Sequence, residues 1–314
     1  MVKDKKLRIA VIAGGWSKER EVSLKSGRAV YDALDRRRYE VEFYDPKEDL
    51  KRLIDERDRI DLAFILLHGR YGEDGAIQGF LKILGIPFVG SGVLSSSISL
   101  NKAISKILYR DAGLDVADWI LLKKGDFIDP DNIINTLGTE LVIKPVSEGS
   151  SIGISISKDR ESLIKGLKQA FLYDEEVIVE RYIKGREVTC CVLGNESLEA
   201  LPPIEIVPDK RYEFFDYEAK YTPEATKEIC PAPLSEELTQ RVKEIAIKAH
   251  RVLRCKVWSR TDMIIGDEKI YVLETNTIPG MTETSLVPLA ARTAGLSMSE
   301  LLNRILELAI EIKD

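Results

Sequence analysis

Short apolar runs alternate with amphipathic stretches along the first third of the chain. The runs have strand length, and in the stretches between them apolar residues recur every three or four positions, as on one face of a helix. Strands that alternate with helices over short connections predict a doubly wound parallel sheet, which carries its ligands beyond the carboxyl ends of the strands. The predicted strands are 7–13, 39–44, 62–67 and a short one at 87–89, and the predicted helices are 21–34, 49–57 and 76–84.

The pattern changes near residue 95, where strands are broken by Gly and Ser. Helical periodicity covers 101–112 and 160–171. Helices mixed with strands of this kind are typical of an antiparallel α+β unit rather than of a parallel sheet. The strands expected in it are 118–122, 141–144, 152–157 and 177–182.

A third segment begins near Gly185 and ends in a closing helix at 298–312. Residues 210–226 are polar and aromatic without regular periodicity, and they are long enough to form a functional lid. Strands are expected at 188–193 and 198–206 and a long helix at 234–254. We therefore expect an α/β and α+β protein of three domains: 1–94, 95–184 and 185–314.

A predicted hairpin near the C-terminus brings hard oxygen ligands together. The first strand of the hairpin contains Asp262, and a turn at 266–269 follows it. The second strand carries Glu274 and Asn276 near its end. Side chains two apart on a strand share a face, so Glu274 and Asn276 point the same way. Two carboxylates and an amide oxygen suit Mg²⁺. The alternative is an exposed hairpin with solvated polar side chains.

The loop 144–153 is rich in Gly and Ser and follows a strand that ends at Lys144. Such loops let backbone amides approach phosphate oxygens, and a lysine supplies a point charge. A plain hairpin turn is the alternative. No G-x-x-x-x-G-K-[ST] motif occurs in the chain, so it is not a P-loop NTPase.

Glu180 and Glu187 flank the end of the next strand, with Tyr182 between them. Carboxylates there can accept hydrogen bonds from an adenine amino group and from ribose hydroxyls, while apolar neighbours pack against the base. Two solvated surface glutamates are the alternative for such a pair taken alone.

Composition narrows the class of protein. A content of 44% hydrophobic and 31% charged residues is typical of an ordinary globular protein. The net charge of −6 argues against a nucleic-acid partner. Apolar runs are strand-sized, so no membrane helix or signal peptide is expected. The four cysteines form no C-x-x-C pair, and adjacent Cys190 and Cys191 point to opposite faces of a strand. Reduced thiols in the cytoplasm are the expectation.

Motifs along nearly the whole chain, in this order, resemble the D-alanine–D-alanine ligases of the ATP-grasp superfamily. The resemblance implies a three-domain enzyme that uses ATP and two Mg²⁺ ions, which Mn²⁺ can replace, and D-alanine as its substrate in a cytoplasmic homodimer. The motifs are Gly14–Ser23, His68–Gly75, Lys102, Lys144 with Ser150 and Ser151, Glu180 to Glu187, 217–221, Arg260–Asp262, Glu274–Asn276 and 279–286.

By this resemblance, the nucleotide-binding residues are Lys102, Lys144, Ser151, Glu180, Tyr182, Glu187 and Lys220, and the metal ligands are Asp262, Glu274 and Asn276. The family activates one D-alanine as an acyl phosphate, which the amine of a second D-alanine then attacks. Joining a carboxylate to a triphosphate requires surrounding cations, which these lysines and the metal supply.

The resemblance also implies roles around the two substrates. Arg260 and the backbone amide of Gly280 resemble an oxyanion hole, and His68 helps to position the first D-alanine. Glu19 is similar to the residue that binds the first ammonium group, and Ser285 to the one that receives the second carboxylate. Tyr221, in the lid, resembles the tyrosine that bonds to the residues matching Ser150 and Glu19 and that favours an amine nucleophile over D-lactate.

Four positions depart from the commonest family pattern: Tyr71, Asn101, Ser259 and Thr261. None removes a reactive group. The competing interpretations are a D-alanyl–D-serine or depsipeptide ligase on the same scaffold, another ATP-grasp carboxylate–amine ligase, and a regulatory ATP-binding module without catalysis. The presence of Arg260 and of every expected metal ligand argues against the last.

Overall fold

The computed structural model describes residues 6–149, 152–208 and 226–312 of the chain. Its first sheet contains β1 (Leu7–Ile12), β2 (Tyr39–Tyr44) and β3 (Leu62–Ile65) in the order β2-β1-β3. All pairings in it are parallel, as the alternating pattern predicts. The helices that follow these strands are α1 (Arg20–Ala33), α2 (Pro46–Asp55) and α3 (Ala76–Ile83).

The predicted fourth strand at 87–89 is wrong. Only Phe88 pairs, in an isolated parallel bridge to Ala63. Pro87 has no N–H to extend a ladder, and Gly90, at a φ of 102°, turns the chain away directly after Val89.

Two consecutive helices, α4 (Val93–Leu100) and α5 (Lys102–Asp111), follow this sheet. The sequence pattern misses α4 because its buried face carries serines rather than apolar side chains. Ser95 donates a hydrogen bond to the Arg254 carbonyl at 2.6 Å, and Ser96 donates one to the Ser91 carbonyl at 3.3 Å. The predicted boundary between residues 94 and 95 falls inside α4, and the division into three domains stays a prediction.

The second sheet is antiparallel throughout, as predicted. Its order is β4-β7-β5-β6. Helix α6 was not predicted, although Asp129 caps its first turn and Pro130 begins it. The sheet consists of β4 (Trp119–Lys123), β5 (Leu141–Pro145), β6 (Ser155–Ser157) and β7 (Glu176–Arg181), and its helices are α6 (Pro130–Leu137) and α7 (Arg160–Ala170).

The third sheet runs in the order β11-β10-β8-β12-β13, with β9 beside β8. The single strand predicted at 198–206 is wrong: Pro202 and Pro203 lack N–H donors and separate two strands. The strands of the third sheet are β8 (Arg186–Gly194), β9 (Leu198–Ala200), β10 (Ile204–Pro208), β11 (Thr226–Ile229), β12 (Val257–Ile265) and β13 (Ile270–Asn276). The helices in this part of the chain are α8 (Glu236–Val252), α9 (Leu286–Thr293) and α10 (Met298–Glu311).

Strand β8 is buried on both faces and separates two hydrophobic clusters. Cys191 packs in the cluster that contains β1 and α10, and Cys190 packs in the one that contains α8. The two cysteines thus face opposite ways, as predicted. Over the described residues, no helix is long and apolar enough to cross a membrane.

Candidate active site

A cavity of about 920 Å³ opens where the first and third sheets face each other, and most of the predicted substrate residues line it. Loops after β1 and β3 supply Glu19 and His68, while α5 supplies Lys102. These elements are distant in sequence, so only the packing of the sheets brings the residues together. The other predicted residues in the wall are Arg260, Glu274, Asn276, Gly280 and Ser285.

A second cavity, of about 110 Å³, lies between the second and third sheets. Val142 and Ile156 form one apolar wall, and Ile264 and Leu273 form the opposite wall. Two apolar walls with polar groups at the rim suit a flat aromatic base. The polar residues at this cavity include the predicted nucleotide residues Lys144, Glu180, Tyr182 and Glu187, and also Asp262 and Glu274.

The β12–β13 hairpin forms as predicted and aligns Asp262 opposite Glu274. Arg260 donates to both oxygens of Asp262, at 2.9 and 2.8 Å, and the Thr189 hydroxyl donates to Asp262 Oδ1 at 2.5 Å. Burial lowers the pKa of Arg260, but the Asp262 carboxylate outweighs it and holds that pKa above its ordinary value. Arg260 is therefore a fixed, permanently charged donor in the cavity wall.

The predicted metal ligands are hard oxygen donors, as Mg²⁺ requires. Glu274 Oε2 is 3.6 Å from the Lys102 ammonium, and Asn276 Oδ1 accepts a hydrogen bond from the Ile278 amide at 2.8 Å. A carboxylate has about four acceptor sites, so Asp262 can keep Arg260 and still ligate a cation. Within the described residues, no three His, Cys, Asp or Glu side chains form a metal cluster, but the donor set fits the ion.

Two buried carboxyl groups meet at the loop after β3. A Cβ on Gly69 would lie 2.7 Å from Glu19 Oε2, and one on Gly149 would lie 3.2 Å from it. Glu73, which was not among the predicted site residues, accepts a hydrogen bond from the Gly69 amide at 2.6 Å. Burial, together with the charge of Glu19, raises the pKa of Glu73 to about 8. Glu73 is thus protonated at neutral pH, while it holds the loop against which Glu19 lies.

His68 is buried beside helix α1. Its Nε2 atom lies 3.5 Å from the Ser26 hydroxyl, which also accepts a hydrogen bond from the Met281 amide at 3.2 Å. Burial lowers the pKa of His68 to about 4. The imidazole is therefore neutral at physiological pH, and it can position a substrate through hydrogen bonds but not through charge.

Ser285 stands at the N-cap of helix α9, next to Gly280. A Cβ on Gly280 would lie 3.0 Å from Ser285 Oγ. The Thr282 amide donates to that oxygen at 3.0 Å. A hydroxyl at a helix N-terminus is a favourable place for a carboxylate because the free amides there carry partial positive charge.

Three lysines converge on the nucleotide side. Lys102 donates to the Glu148 carbonyl at 2.6 Å, and Lys144 lies 3.1 Å from Glu180. The third, Lys106, was not predicted; its ammonium is 3.2 Å from the other oxygen of Glu180. Its position one helical turn after Lys102, on the buried face of α5, is a signal that the sequence does contain.

Comparison with known proteins places this geometry in a family. The family model for the "D-ala D-ala ligase C-terminus" matches residues 108–307 of the chain. The family model for the "D-ala D-ala ligase N-terminus" matches residues 8–55 and 45–91. The chain belongs to the D-alanine–D-alanine ligase family. The family match confirms the resemblance seen in the sequence motifs, and the sheets have the expected ATP-grasp arrangement.

Individual members of the D-alanine–D-alanine ligase family align over nearly the entire chain. A D-alanine–D-alanine ligase from Syntrophobacter fumaroxidans is 54% identical over 98% of both chains. The crystal structure of the Bacillus anthracis D-alanine–D-alanine ligase complexed with ATP is 39% identical, with a TM-score of 0.85 over 97% of both chains. The VanG D-Ala:D-Ser ligase of Enterococcus faecalis is 32% identical, with a TM-score of 0.85 over 97% of this chain and 100% of that one.

Some predicted site residues lie outside the described part of the chain: Ser150, Ser151, Lys220 and Tyr221. Most of the predicted lid, 210–226, lies outside it as well, except that Thr226 begins β11. The roles given to these residues, and to the others in the site, stay predictions.

Proposed function

We propose that the protein is an ATP-dependent carboxylate–amine ligase that joins two D-alanines into D-alanyl-D-alanine for peptidoglycan precursor synthesis. One observation carries the proposal: Glu274 lines both the substrate cavity and the nucleotide cavity. A carboxylate bound in the first cavity can thus meet a phosphate that enters from the second. Membership of the family supports the same reaction.

The reaction proceeds in two balanced steps. A carboxylate oxygen of the first D-alanine attacks the γ-phosphorus of ATP; the bond to the bridging oxygen breaks, and ADP leaves. The amine of the second D-alanine then attacks the carbonyl carbon of the acyl phosphate, loses a proton and expels phosphate. Both steps bring anionic groups together. The protein therefore contributes to catalysis mainly by positioning the reactants and by supplying positive charge around them.

Cations supply that charge. Lys102 and Lys144 face the phosphates, and Arg260 with the Gly280 amide stabilises the oxyanion of the tetrahedral intermediate. Asp262, Glu274 and Asn276 would hold Mg²⁺. When bound, the ion neutralises phosphate charge. The bidentate contact between Arg260 and Asp262 supports this assignment because it fixes the guanidinium before substrate arrives.

The substrate cavity offers complementary groups at its two ends. Glu19 binds the ammonium group of the first D-alanine, and neutral His68 orients it. Ser285 and the first turn of α9 receive the carboxylate of the second. Support comes from the position of Glu19 and His68 in the wall of this cavity, where both side chains are almost fully buried.

We also propose that the enzyme works in the cytoplasm as a homodimer. Free thiols at all four cysteines support a reducing compartment. An apolar surface, hereafter the α3–α5 surface, supports the dimer. It is formed by exposed side chains on three helices that contact one another in turn: Ile83, Val93, Leu94, Ile104 and Ile107.

Phosphate release from ATP and Mg²⁺, with the product identified by mass, tests the activity. We expect release with D-alanine alone, no release with L-alanine, and the D-alanyl-D-alanine mass. The VanG D-Ala:D-Ser ligase makes D-serine the rival second substrate. A product formed only when D-serine or D-lactate is added would overturn the substrate assignment, and no phosphate release with any of these amino acids would overturn the ligase.

A further inference from the structure

Lys106 is a fully buried lysine that none of the proposed catalytic steps uses. Its side chain is 0% exposed, and its ammonium is 3.2 Å from Glu180 Oε1. Among the described residues the ammonium has no hydrogen-bond partner of good geometry. Burial disfavours the charged ammonium and lowers the pKa of Lys106, and the Glu180 carboxylate opposes that shift, so the ion pair with Glu180 is what makes the burial tolerable.

Glu180 is held between two ammonium groups. Its Oε1 faces Lys106, and its Oε2 accepts a hydrogen bond from Lys144 at 3.1 Å. The carboxylate itself is 2% exposed. Burial raises the pKa of Glu180, but Lys106 and Lys144 outweigh it, so that pKa is lowered and the group is ionised.

The charges of these three residues do not cancel. One carboxylate and two ammonium groups sum to a single positive charge, and Lys144 is the member at the nucleotide cavity. If Lys106 were removed, Glu180 and Lys144 would form a neutral pair. The attraction of this part of the cavity for phosphates would then fall.

We propose that Lys106 is a positioning residue for the nucleotide: it balances the charge of Glu180 so that Lys144 presents net positive charge to the phosphates of ATP. The inference rests on the proposed use of ATP. It also gives Glu180 a purpose besides contact with the base, since both of its oxygens already face lysines. Lys106 lines neither of the two cavities; it acts through Glu180.

The test compares Lys106→Met with the parent by calorimetric titration with ATP and, separately, with adenosine. Met fills the space of the lysine without its charge. We expect the Kd for ATP to rise about tenfold, because the phosphates lose the attraction of one nearby positive charge, while the Kd for adenosine changes less than twofold. Lys123→Met is the matched control, since Lys123 pairs with Glu176 on the same β7 strand but is 63% exposed; it should change neither.

A second variant distinguishes an effect of charge on phosphate binding from an effect of disturbed folding. Lys106→Met combined with Glu180→Gln carries no uncompensated buried charge and leaves Lys144 unpaired. Its affinity for inorganic tripolyphosphate, which has no base, should equal or exceed that of the parent. Tenfold weaker tripolyphosphate binding by the double variant would overturn the proposal.

Two results with the single variant also overturn it: equal weakening of ATP and adenosine, which indicates a purely structural lysine, and no weakening of either. Binding is independent of turnover, so the outcomes stay separate from those for the ligase activity. A parent that binds ATP but makes no dipeptide overturns the proposed function alone, and a parent that binds no ATP overturns both.

Discussion

Glu73 holds its negative charge poorly because its carboxyl group is buried beside Glu19. Arg260 shows the opposite effect, since Asp262 stabilises its charge in an equally buried place. His68 is kept neutral by the same burial that would be costly for a cation. At the residue scale, the site is therefore a set of buried groups whose charges are determined by their immediate neighbours.

The pKa of Glu73 predicts a pH-dependent stability. Folding raises this pKa from 4.5 to about 8. Between these values the folded state keeps a proton that the unfolded state releases, so the Glu73 contribution is complete below pH 4.5 and is lost as pH rises towards 8. Glu73→Gln cannot titrate. The Tm of this variant minus that of the parent should therefore rise by at least about 2 °C from pH 5 to pH 8.5.

Thermal unfolding of the ligand-free proteins across that pH range measures the difference. Glu21→Gln is the control, since Glu21 is exposed on α1, and its difference from the parent should stay constant. A Glu73→Gln difference that falls with pH would mean that Glu73 is ionised in the folded protein.

At the element scale, α5 positions two lysines through its N-terminus. The Asn101 side chain caps the helix by accepting a hydrogen bond from the Ile104 amide at 3.0 Å. Lys102 is the first helical residue, and Lys106 follows one turn later on the same buried face. The side-chain oxygen of Asn101 thus supplies the acceptor that the first turn of α5 requires.

Asn101→Ala should lower the free energy of unfolding by about 1 kcal/mol, because an amide in the first turn of α5 loses its acceptor. Urea denaturation measures it. Asn101→Asp keeps the acceptor and is the matched control, with stability and activity close to the parent. Equal losses in both variants would show that the amide group itself, rather than the cap, is required.

At the scale of the whole molecule, the three sheets make two cavities that no single sheet contains. The nucleotide cavity takes one apolar wall from the second sheet and the other from the third. The substrate cavity takes its walls from the first and third sheets and from α5. On the outside, the α3–α5 surface presents apolar side chains from three neighbouring helices to solvent.

If the α3–α5 surface is the dimer interface, Leu94→Glu and Ile107→Glu should each convert the dimer to monomer, because a charge would be buried there without a partner. Sedimentation velocity measures the mass. Leu94 and Ile107 are 56% and 54% exposed, so the substitutions should not disturb folding. Phe127→Glu, at the large hydrophobic residue that is most exposed in the described part of the chain, is the control and should stay dimeric. A monomeric parent would refute the homodimer itself.

Sequence patterns predicted an element correctly where its formation depends mainly on residues that are close in the chain. The parallel first sheet, the β12–β13 hairpin and most helices follow from apolar periodicity and turn residues alone. The prediction failed where a pattern was atypical: serines cover the buried face of α4, and two prolines interrupt the strand predicted at 198–206. Burial of small hydroxyls depends on partners that come from elsewhere in the chain.

By itself, the sequence determined most of the strands and helices, the family and which residue types carry the chemistry. The tertiary structure alone decided which of them share a cavity and what charge each one holds. The sequence shows that Lys106 lies one helical turn after Lys102, but it reveals neither the carboxylate that pairs with Lys106 nor the raised pKa of Glu73. Desolvation and Coulomb interactions act through space between segments far apart in the chain, so these properties exist only once the sheets have packed.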